Sequence, residues 1–217
     1  MLVKKTLLIL SLALSCYSLR AQFGPKIEFG LKAGLNAATL TDMGGDVYGY
    51  SSIGSVNGGA LLNIKFSDRN SGFSLQPEAV FSGQGGVYSS NNYDGFTYHN
   101  YTTHLTYLNI PVLLQYQFRN GFRLETGPQF GVLLNARETG YGEDGGVNVK
   151  RFYKTSDFSW AFGGGFISHT GFGVDARFNL GLSDINNDTS VGNDANINND
   201  VFQIGIFYQF GHYYSRY

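Results

Sequence analysis

The sequence predicts an all-β fold: an eight-stranded, antiparallel, up-and-down transmembrane β-barrel with four long extracellular loops and short periplasmic turns. Three observations predict it. Apolar and polar residues alternate with a period of two in about eight segments of roughly 10 to 15 residues, whereas a soluble strand usually has about 5 to 6. Short and long connections alternate between these segments, and the apolar face is unusually aromatic.

The composition fits this fold class and excludes others. Aromatic residues make up 16% of the chain, glycines number 30, and charged residues make up only 14%. Such a mixture favours strands over helices. Apart from a short run near the start, no stretch approaches the 18 apolar residues of a helical span. A net charge of -1 gives no electrostatic case for nucleic acid as a partner.

The first residues predict export. Lys4 and Lys5 precede an apolar run at 6–15, and a small residue, Ala21, stands before Gln22. This pattern is typical of a secretory signal peptide, so residues 1–21 are predicted to be the signal peptide and residues 22–217 the barrel domain. Lipidation of Cys16 is the alternative. The rest of the chain has no cysteine, so disulfides contribute nothing to it.

The strands and connections follow one another in a regular order. Short connections are predicted at SDRNS, RNG and SHTG, and long polar ones at 38–55, 84–103, 136–155 and 184–199. An even number of strands returns both chain ends to the periplasm, which predicts the outer membrane of a Gram-negative cell envelope. The predicted strands are 26–37, 56–67, 72–83, 104–118, 121–135, 156–168, 170–183 and 200–210.

Charged residues at the alternate positions that form the polar face of each strand predict a filled lumen. In GFGVDARFNLGL (171–182), Asp175 and Arg177 face one way and the apolar residues the other. A barrel of about eight strands is just wide enough to be filled by side chains. A lone buried charge costs several kcal/mol, so both signs should occur together. The predicted lumen charge network contains Glu28, Lys32, Lys65, Glu78, Arg123, Glu125, Asp157, Asp175 and Arg177.

Phenylalanines on the apolar parity cluster at one end of the strands. Aromatic rings collect at the interfaces of a bilayer, so we predict an aromatic girdle at the periplasmic end. Its members are Phe29, Phe66, Phe73, Phe118, Phe122, Phe166, Phe172 and Phe210.

At TYLNIPVLLQYQFRNGFRLETGPQFGVLL (106–134) the chain resembles the PorT-like outer-membrane β-barrel family. FGLKAGLNAATL and WAFGGGF…GFGVDARFNLGL agree with this resemblance in order and spacing. The resemblance implies insertion into the outer membrane and brings no catalytic residues. One family member serves a protein-secretion apparatus, but membership alone does not imply that role. The chain continues past the aromatic residue that ends the last strand, so Phe210 and Tyr217 are both candidates for the residue read by the barrel-assembly machinery.

The loop SDINNDTSVGNDANINNDV contains weak candidates for calcium ligands. Asp184, Asn186 and Asp188 occupy positions 1, 3 and 5 of an EF-hand-like loop. The pattern then fails, because Thr189 replaces the glycine and Ala195 the bidentate glutamate. A polar hairpin loop is the favoured interpretation, and no metal or cofactor is predicted.

A catalytic rim is a further alternative. Ser89, Ser90, Asp94, His99 and His104 have the residue types of a lipid-modifying site, but nothing in the sequence sets their geometry. The same two histidines lack further zinc ligands at a defined spacing. The chain is therefore predicted not to be an enzyme.

The favoured function is a structural or surface-interaction role for a monomeric barrel. Its predicted partners are outer-membrane lipid and the barrel-assembly machinery during biogenesis, with a protein at the extracellular loops as a further candidate. An accessory role in a secretion machinery is the main alternative, followed by a rim enzyme and a small-solute channel.

Overall fold

The computed structural model describes residues 26–42, 51–67, 71–91, 98–140, 146–187 and 196–211, with only the backbone for 42, 88–91 and 98–100. The predicted signal peptide lies outside the described residues. The strands are β1 (Lys26–Asp42), β2 (Ile53–Lys65), β3 (Gly72–Asn91), β4 (Tyr98–Gln117), β5 (Phe122–Thr139), β6 (Val147–Asn148), β7 (Ser156–Ile167), β8 (Phe172–Gly181) and β9 (Ile197–Phe210). A short 3-10 helix covers Lys150–Phe152. None of the described helical segments is long and apolar enough to cross a membrane.

Eight of the strands form a closed antiparallel ring. Each pairs with the next along the chain, β5 pairs with β7, and β1 closes the ring by pairing with β9. The closing register runs from Phe29 opposite Phe210 to Asp42 opposite Ile197. The two-residue β6 pairs only with β5, outside the ring. Closure leaves the wall without a free edge, and this confirms the predicted barrel.

Two of the short turns have the same construction. Residues 118–121 join β4 to β5, and residues 168–171 join β7 to β8. In each turn, three residues lie between a hydrogen-bonded pair, Phe118–Phe122 or Ser168–Phe172. Gly121 and Gly171 have φ values of +89° and +87°, in the left-handed region that favours glycine. The amide of each glycine donates to a carbonyl three residues earlier, that of Phe118 or Ser168, at 3.1 Å. Such three-residue hairpins with a left-handed glycine suit the twist of antiparallel strands.

Six of the eight wall strands extend further than predicted on the side of the long connections, whereas β7 begins at residue 156 as predicted and β8 ends at residue 181, two residues earlier than predicted. β3 and β4 remain paired from Gly85–His104 up to Asn91–Tyr98, so most of the segment predicted as loop 84–103 is strand. β1 and β5 likewise extend to Asp42 and Thr139. The period-two pattern weakens here because the inward side chains become apolar and the outward ones polar.

The two faces of the wall exchange their polarity near this outer end. Along most of each strand the outward side chains are apolar and the inward ones polar. In β1 the inward series passes from Asn36 to Ala38 and Leu40, while outward Thr41 is exposed. In β5 a bulge leaves Leu134 without a partner on β4, after which Ala136 points inward and Arg137 outward. At their outer ends these strands therefore have the side-chain distribution of a water-soluble protein, with apolar residues inside and polar residues outside.

Candidate functional site: the barrel interior and its outer rim

A network of buried charges crosses the middle of the barrel. Arg177 on β8 donates from Nη1 and Nη2 to both carboxylate oxygens of Glu78 on β3, at 3.0 and 2.9 Å. Its Nε donates to Oε1 of Glu125 at 2.8 Å. Strands β3 and β8 lie opposite each other in the ring of eight. The Arg177–Glu78 pair therefore spans the lumen from one wall to the other.

Further charges complete this network. Nζ of Lys32 lies 3.4 Å from Oε2 of Glu78 and 3.3 Å from Oδ2 of Asp175. The guanidinium of Arg123 is buried and lies 3.8 Å from the ring centroid of Phe207. The buried set thus contains three positive and three negative groups, and Nε and Nη2 of Arg123 have no hydrogen-bond partner among the described residues. The six are Lys32, Arg123, Arg177, Glu78, Glu125 and Asp175.

The other three predicted lumen charges lie apart from this network. At the periplasmic end, Oε1 of Glu28 is 3.0 Å from Nζ of Lys65 and 3.1 Å from Nζ of Lys26. At the outer end, the carboxylate of Asp157 accepts hydrogen bonds from Oγ of Ser183 at 2.8 Å and Nδ2 of Asn199 at 3.2 Å. The predicted set is therefore three separate groups at different depths.

Amides and hydroxyls fill the lumen between these groups. Asn36 donates to Oγ of Ser82 at 2.9 Å and accepts from Asn57 at 2.5 Å and Gln203 at 3.1 Å. Asn199 also donates to Gln84, on a strand three places away in the ring. These bonds satisfy polar groups that would each be costly to bury alone. The lumen is therefore also filled between the central charge network and the outer end of the barrel.

Inward glycines make room for the longer side chains. A Cβ on Gly163 would lie 3.0 Å from Oε1 of Glu125, the oxygen that accepts from Arg177. A Cβ on Gly205 would lie 3.2 Å from Oδ1 of Asp175. Both distances are tighter than ordinary van der Waals contact. The small residues are therefore matched to the large charged ones opposite them.

An apolar cluster closes the lumen at its outer end, and the sequence analysis missed it. The inward residues Leu40, Leu105 and Leu133 contact one another there. Val149 and Ile185, from the long connections, pack onto them from above. Phe152, Tyr153 and Ile197 cover the cluster further. The sequence did contain a sign of this cluster: Leu133 and Tyr107 occupy positions that face the lumen, where polar residues would otherwise be expected.

The eight phenylalanines of the predicted girdle are all exposed on the outer surface. Phe29 stacks on Phe210, and Phe122 meets Phe166 edge to face, each with ring centroids 5.9 Å apart. Tyr116 contacts both Phe73 and Phe118 at 4.9 Å, so tyrosines belong to the same belt. Contact with a lipid interface remains a prediction for these rings.

The family is decided by a sequence profile described as "outer membrane protein beta-barrel domain", which matches residues 20–187, more than half of the chain. The chain belongs to this family. It is therefore an outer-membrane protein of the Gram-negative type, and its closed wall crosses the bilayer. No match was found among curated protein sequences.

Solved structures with similar folds include three small outer-membrane proteins. Neisserial surface protein A is 11% identical with a TM-score of 0.53, covering 84% of this chain and 97% of that chain. The attachment invasion locus protein Ail of Yersinia pestis is 14% identical with a TM-score of 0.45, covering 84% and 98%. OprG of Pseudomonas aeruginosa is 14% identical with a TM-score of 0.43, covering 87% and 98%. At these identities the likeness shows the fold alone, and only the first supports it.

The exchange of polarity along the strands marks the outer boundary of the bilayer in this family member. Outward apolar residues of β1 run from Ile27 to Ala37, with Thr41 exposed beyond them. Those residues cover about 33 Å of strand, or about 25 Å along the membrane normal at a tilt near 40°. An apolar band of an outer-membrane barrel has about this height. Above it the strands stand in water and bury apolar residues inside.

Asp184 at the outer rim is held by groups of the protein itself. Its Oδ1 accepts from the backbone amides of Asn186 at 2.9 Å and Ile197 at 3.0 Å. Its Oδ2 accepts from Nζ of Lys154 at 2.5 Å. The carboxylate of Asp184, which the sequence made a candidate calcium ligand, is therefore already paired with the ammonium group of Lys154. Asp188 lies outside the described residues.

We expect Lys154→Ala to raise the pKa of Asp184 towards its ordinary value. Burial alone would raise this pKa, but the hydrogen bonds from Lys154 and the two amides, together with the lysine charge, hold it below the usual range. Because the folded pKa is depressed, the stabilisation is present above about pH 4 and is lost as the pH falls through the folded pKa. An exposed pair of this kind contributes about 0.2–1 kcal/mol.

A carboxyl-carbon NMR titration of Asp184 in wild type and variant tests this expectation. Lys150→Ala is the matched control, because Lys150 donates instead to the carbonyl oxygen of Leu134. An Asp184 pKa that is the same in wild type and Lys154→Ala would show that the lysine does not act on it.

The alternative of a catalytic rim rests on five residues, of which His104 alone has a described side chain. Asp94 lies outside the described residues, and only the backbone is described for Ser89, Ser90 and His99. His104 is exposed on β4, opposite Arg137 of β5. By backbone register, Ser90 of β3 lies opposite His99 of β4.

Proposed function

We propose that this protein is a closed, non-conducting scaffold that holds its outer segments at the cell surface for contact with a partner. The observation that carries the proposal is the Arg177–Glu78 pair, which joins opposite walls at 2.9 and 3.0 Å. Within the part of the chain that the structure describes, the bridged lumen and the apolar cluster at its outer end oppose a continuous polar path for a solute. The paired β3–β4 extension supports the surface role, because it carries the chain beyond the wall.

Planar-bilayer recordings test the closed lumen. The purified chain should show no unit conductance, because opening a path would leave Glu78 and Arg177 unpaired in a low-dielectric interior. The charge-balanced variant Glu78→Ala with Arg177→Ala removes both side chains that cross the lumen and serves as the comparison. Stepwise conductance of the wild-type protein would reject the scaffold proposal in favour of a solute channel.

Crosslinking in intact cells tests the surface role. A photo-reactive residue at Asn148, exposed on β6, should capture a defined species. The same residue at Arg119, in the turn between β4 and β5 at the other end of the barrel, should not capture it. Identical capture from both ends, or none from Asn148, would contradict presentation of the outer segments.

An accessory role in a protein-secretion machinery is the second candidate. It is favoured by the PorT-like resemblance of residues 106–134, and the family match supports only the broader barrel family. Deletion of the gene should then reduce the release of particular secreted proteins. An unchanged set of secreted proteins would exclude this role.

The proposal assigns the barrel no enzymatic activity, and we take the protein to act as a monomer. Lipid profiles should be the same in wild type and in a variant with His99→Ala and His104→Ala. A changed profile would revive the rim-enzyme alternative.

A further inference from the structure

The basic residues of the outer side are confined to one segment of the chain. Lysine and arginine are absent from 38–55, 84–103 and 184–199, three of the four segments that connect strands on that side. The fourth, 136–155, contains Arg137, Lys150, Arg151 and Lys154. Between residues 146 and 155 it has three basic residues and no acidic one. The same segment also contains Glu138, Glu143 and Asp144, so its uncompensated positive charge lies in the part from 146 to 155.

Two of these basic residues lie at the outer boundary of the apolar band. Nζ of Lys150 donates to the carbonyl oxygen of Leu134 at 3.0 Å, and the side chain of Leu134 is exposed on the lipid-facing wall. Arg137 is exposed on the same face of β5, three residues further along. Lys150 thus reaches down to the level at which the outward face changes from apolar to polar.

The other two basic residues differ in their partners. Arg151 is exposed, and its guanidinium lies 4.5 Å from the ring centroid of Phe152. Lys154 is paired with Asp184, so its charge is largely compensated. We call Arg137, Lys150 and Arg151 the basic rim.

We propose that the basic rim binds the phosphate group of a lipid in the outer leaflet. Exposed lysine and arginine attract anionic headgroups at a membrane surface. Below the rim, the wall offers the exposed side chains of Phe130 and Phe158, which are register partners on β5 and β7, to the acyl chains. A soluble polyanion would use the charges but leave this apolar surface without a role. The combination of charge at the boundary and apolar wall beneath it favours a phosphorylated lipid.

The experiment uses the full chain in nanodiscs of phosphatidylcholine with a minor fraction of diphosphorylated lipid A, and native mass spectrometry counts the retained lipid A. The test variant is Arg137→Gln with Lys150→Gln and Arg151→Gln. At about fivefold per basic residue near the surface, its apparent affinity for lipid A should fall by roughly a hundredfold at low ionic strength. Added salt should reduce the difference in lipid A affinity between wild type and variant, because it screens the charges.

Two controls make the result specific. Arg119→Gln removes an exposed arginine from the periplasmic turn and should leave retention of lipid A unchanged. Lys154→Gln removes a basic residue from the same segment, but one engaged by Asp184, and should have a smaller effect than the triple variant. Dephosphorylated lipid A should be retained no better by wild type than by the triple variant.

The count of retained lipid A also distinguishes a lipid phosphate from free phosphate or a soluble polyanion as the bound group. Specific loss of lipid A in the triple variant, with free inorganic phosphate failing to compete, would support the proposal. Equal retention by wild type and the triple variant would overturn it. Tight binding of a soluble sulfated oligosaccharide, with lipid A retention independent of the rim, would also overturn it, and would indicate a polysaccharide partner.

Discussion

Replacing Arg177 with glutamine should destabilise the folded barrel by about 3–5 kcal/mol, the usual effect of removing one partner from a buried ion pair. The variant loses three hydrogen bonds and leaves Glu78 and Glu125 buried without the cation that joins them. Urea-induced unfolding in lipid vesicles measures the loss. Trp160, the single tryptophan, is partly exposed on the outer wall and reports the transition.

A charge-balanced double variant separates electrostatics from packing. Glu78→Gln combined with Arg177→Gln removes one charge of each sign, so it should be destabilised less than Arg177→Gln alone. Arg119→Gln, at an exposed position in the turn between β4 and β5, is the control and should change the free energy of unfolding by less than about 0.5 kcal/mol. A single variant at Arg177 that is as stable as this control would show that the central network does not hold the barrel together.

Replacing Ile206 with arginine should destabilise the barrel in vesicles by about 2–4 kcal/mol, the effect of a cation facing the middle of the bilayer. Ile206 of β9 lies opposite Ala33, near the middle of the apolar band, and is 52% exposed on the outer wall. At such an exposed position in a water-soluble protein the same change would be close to neutral. The size of the effect therefore measures whether this face contacts lipid.

Ser51→Arg is the matched control for this prediction. Ser51 is exposed at the outer end, where it bridges to Val87 through backbone hydrogen bonds of 2.9 and 2.8 Å. An arginine there should be tolerated, because it stands above the apolar band. Equal tolerance at Ile206 would contradict the assignment of the wall to lipid.

Much of the fold could be predicted because the period-two pattern is a local property. Which of Asp175 and Phe178 faces inward depends only on their positions in one strand. The strand number, the antiparallel order and the short turns follow from the spacing of such segments. The predicted strand ended at residue 135, whereas β5 continues to Thr139, because one extra residue at the bulge reverses the parity beyond Leu134 and hides the strand pattern there.

Alternation along the chain is enough to specify an outer-membrane wall with apolar residues outside and charges within. Which of these charges meet depends on the three-dimensional arrangement of the strands. Glu78 and Arg177 are 99 residues apart, and their pairing depends on ring closure and stagger, which set the depth of every inward side chain. The outer apolar cluster is likewise tertiary, because Val149 and Ile185 come from different connections and share no periodic pattern with the strands. Local alternation encodes the face of a residue, whereas its neighbours across the lumen depend on the register of all eight strands.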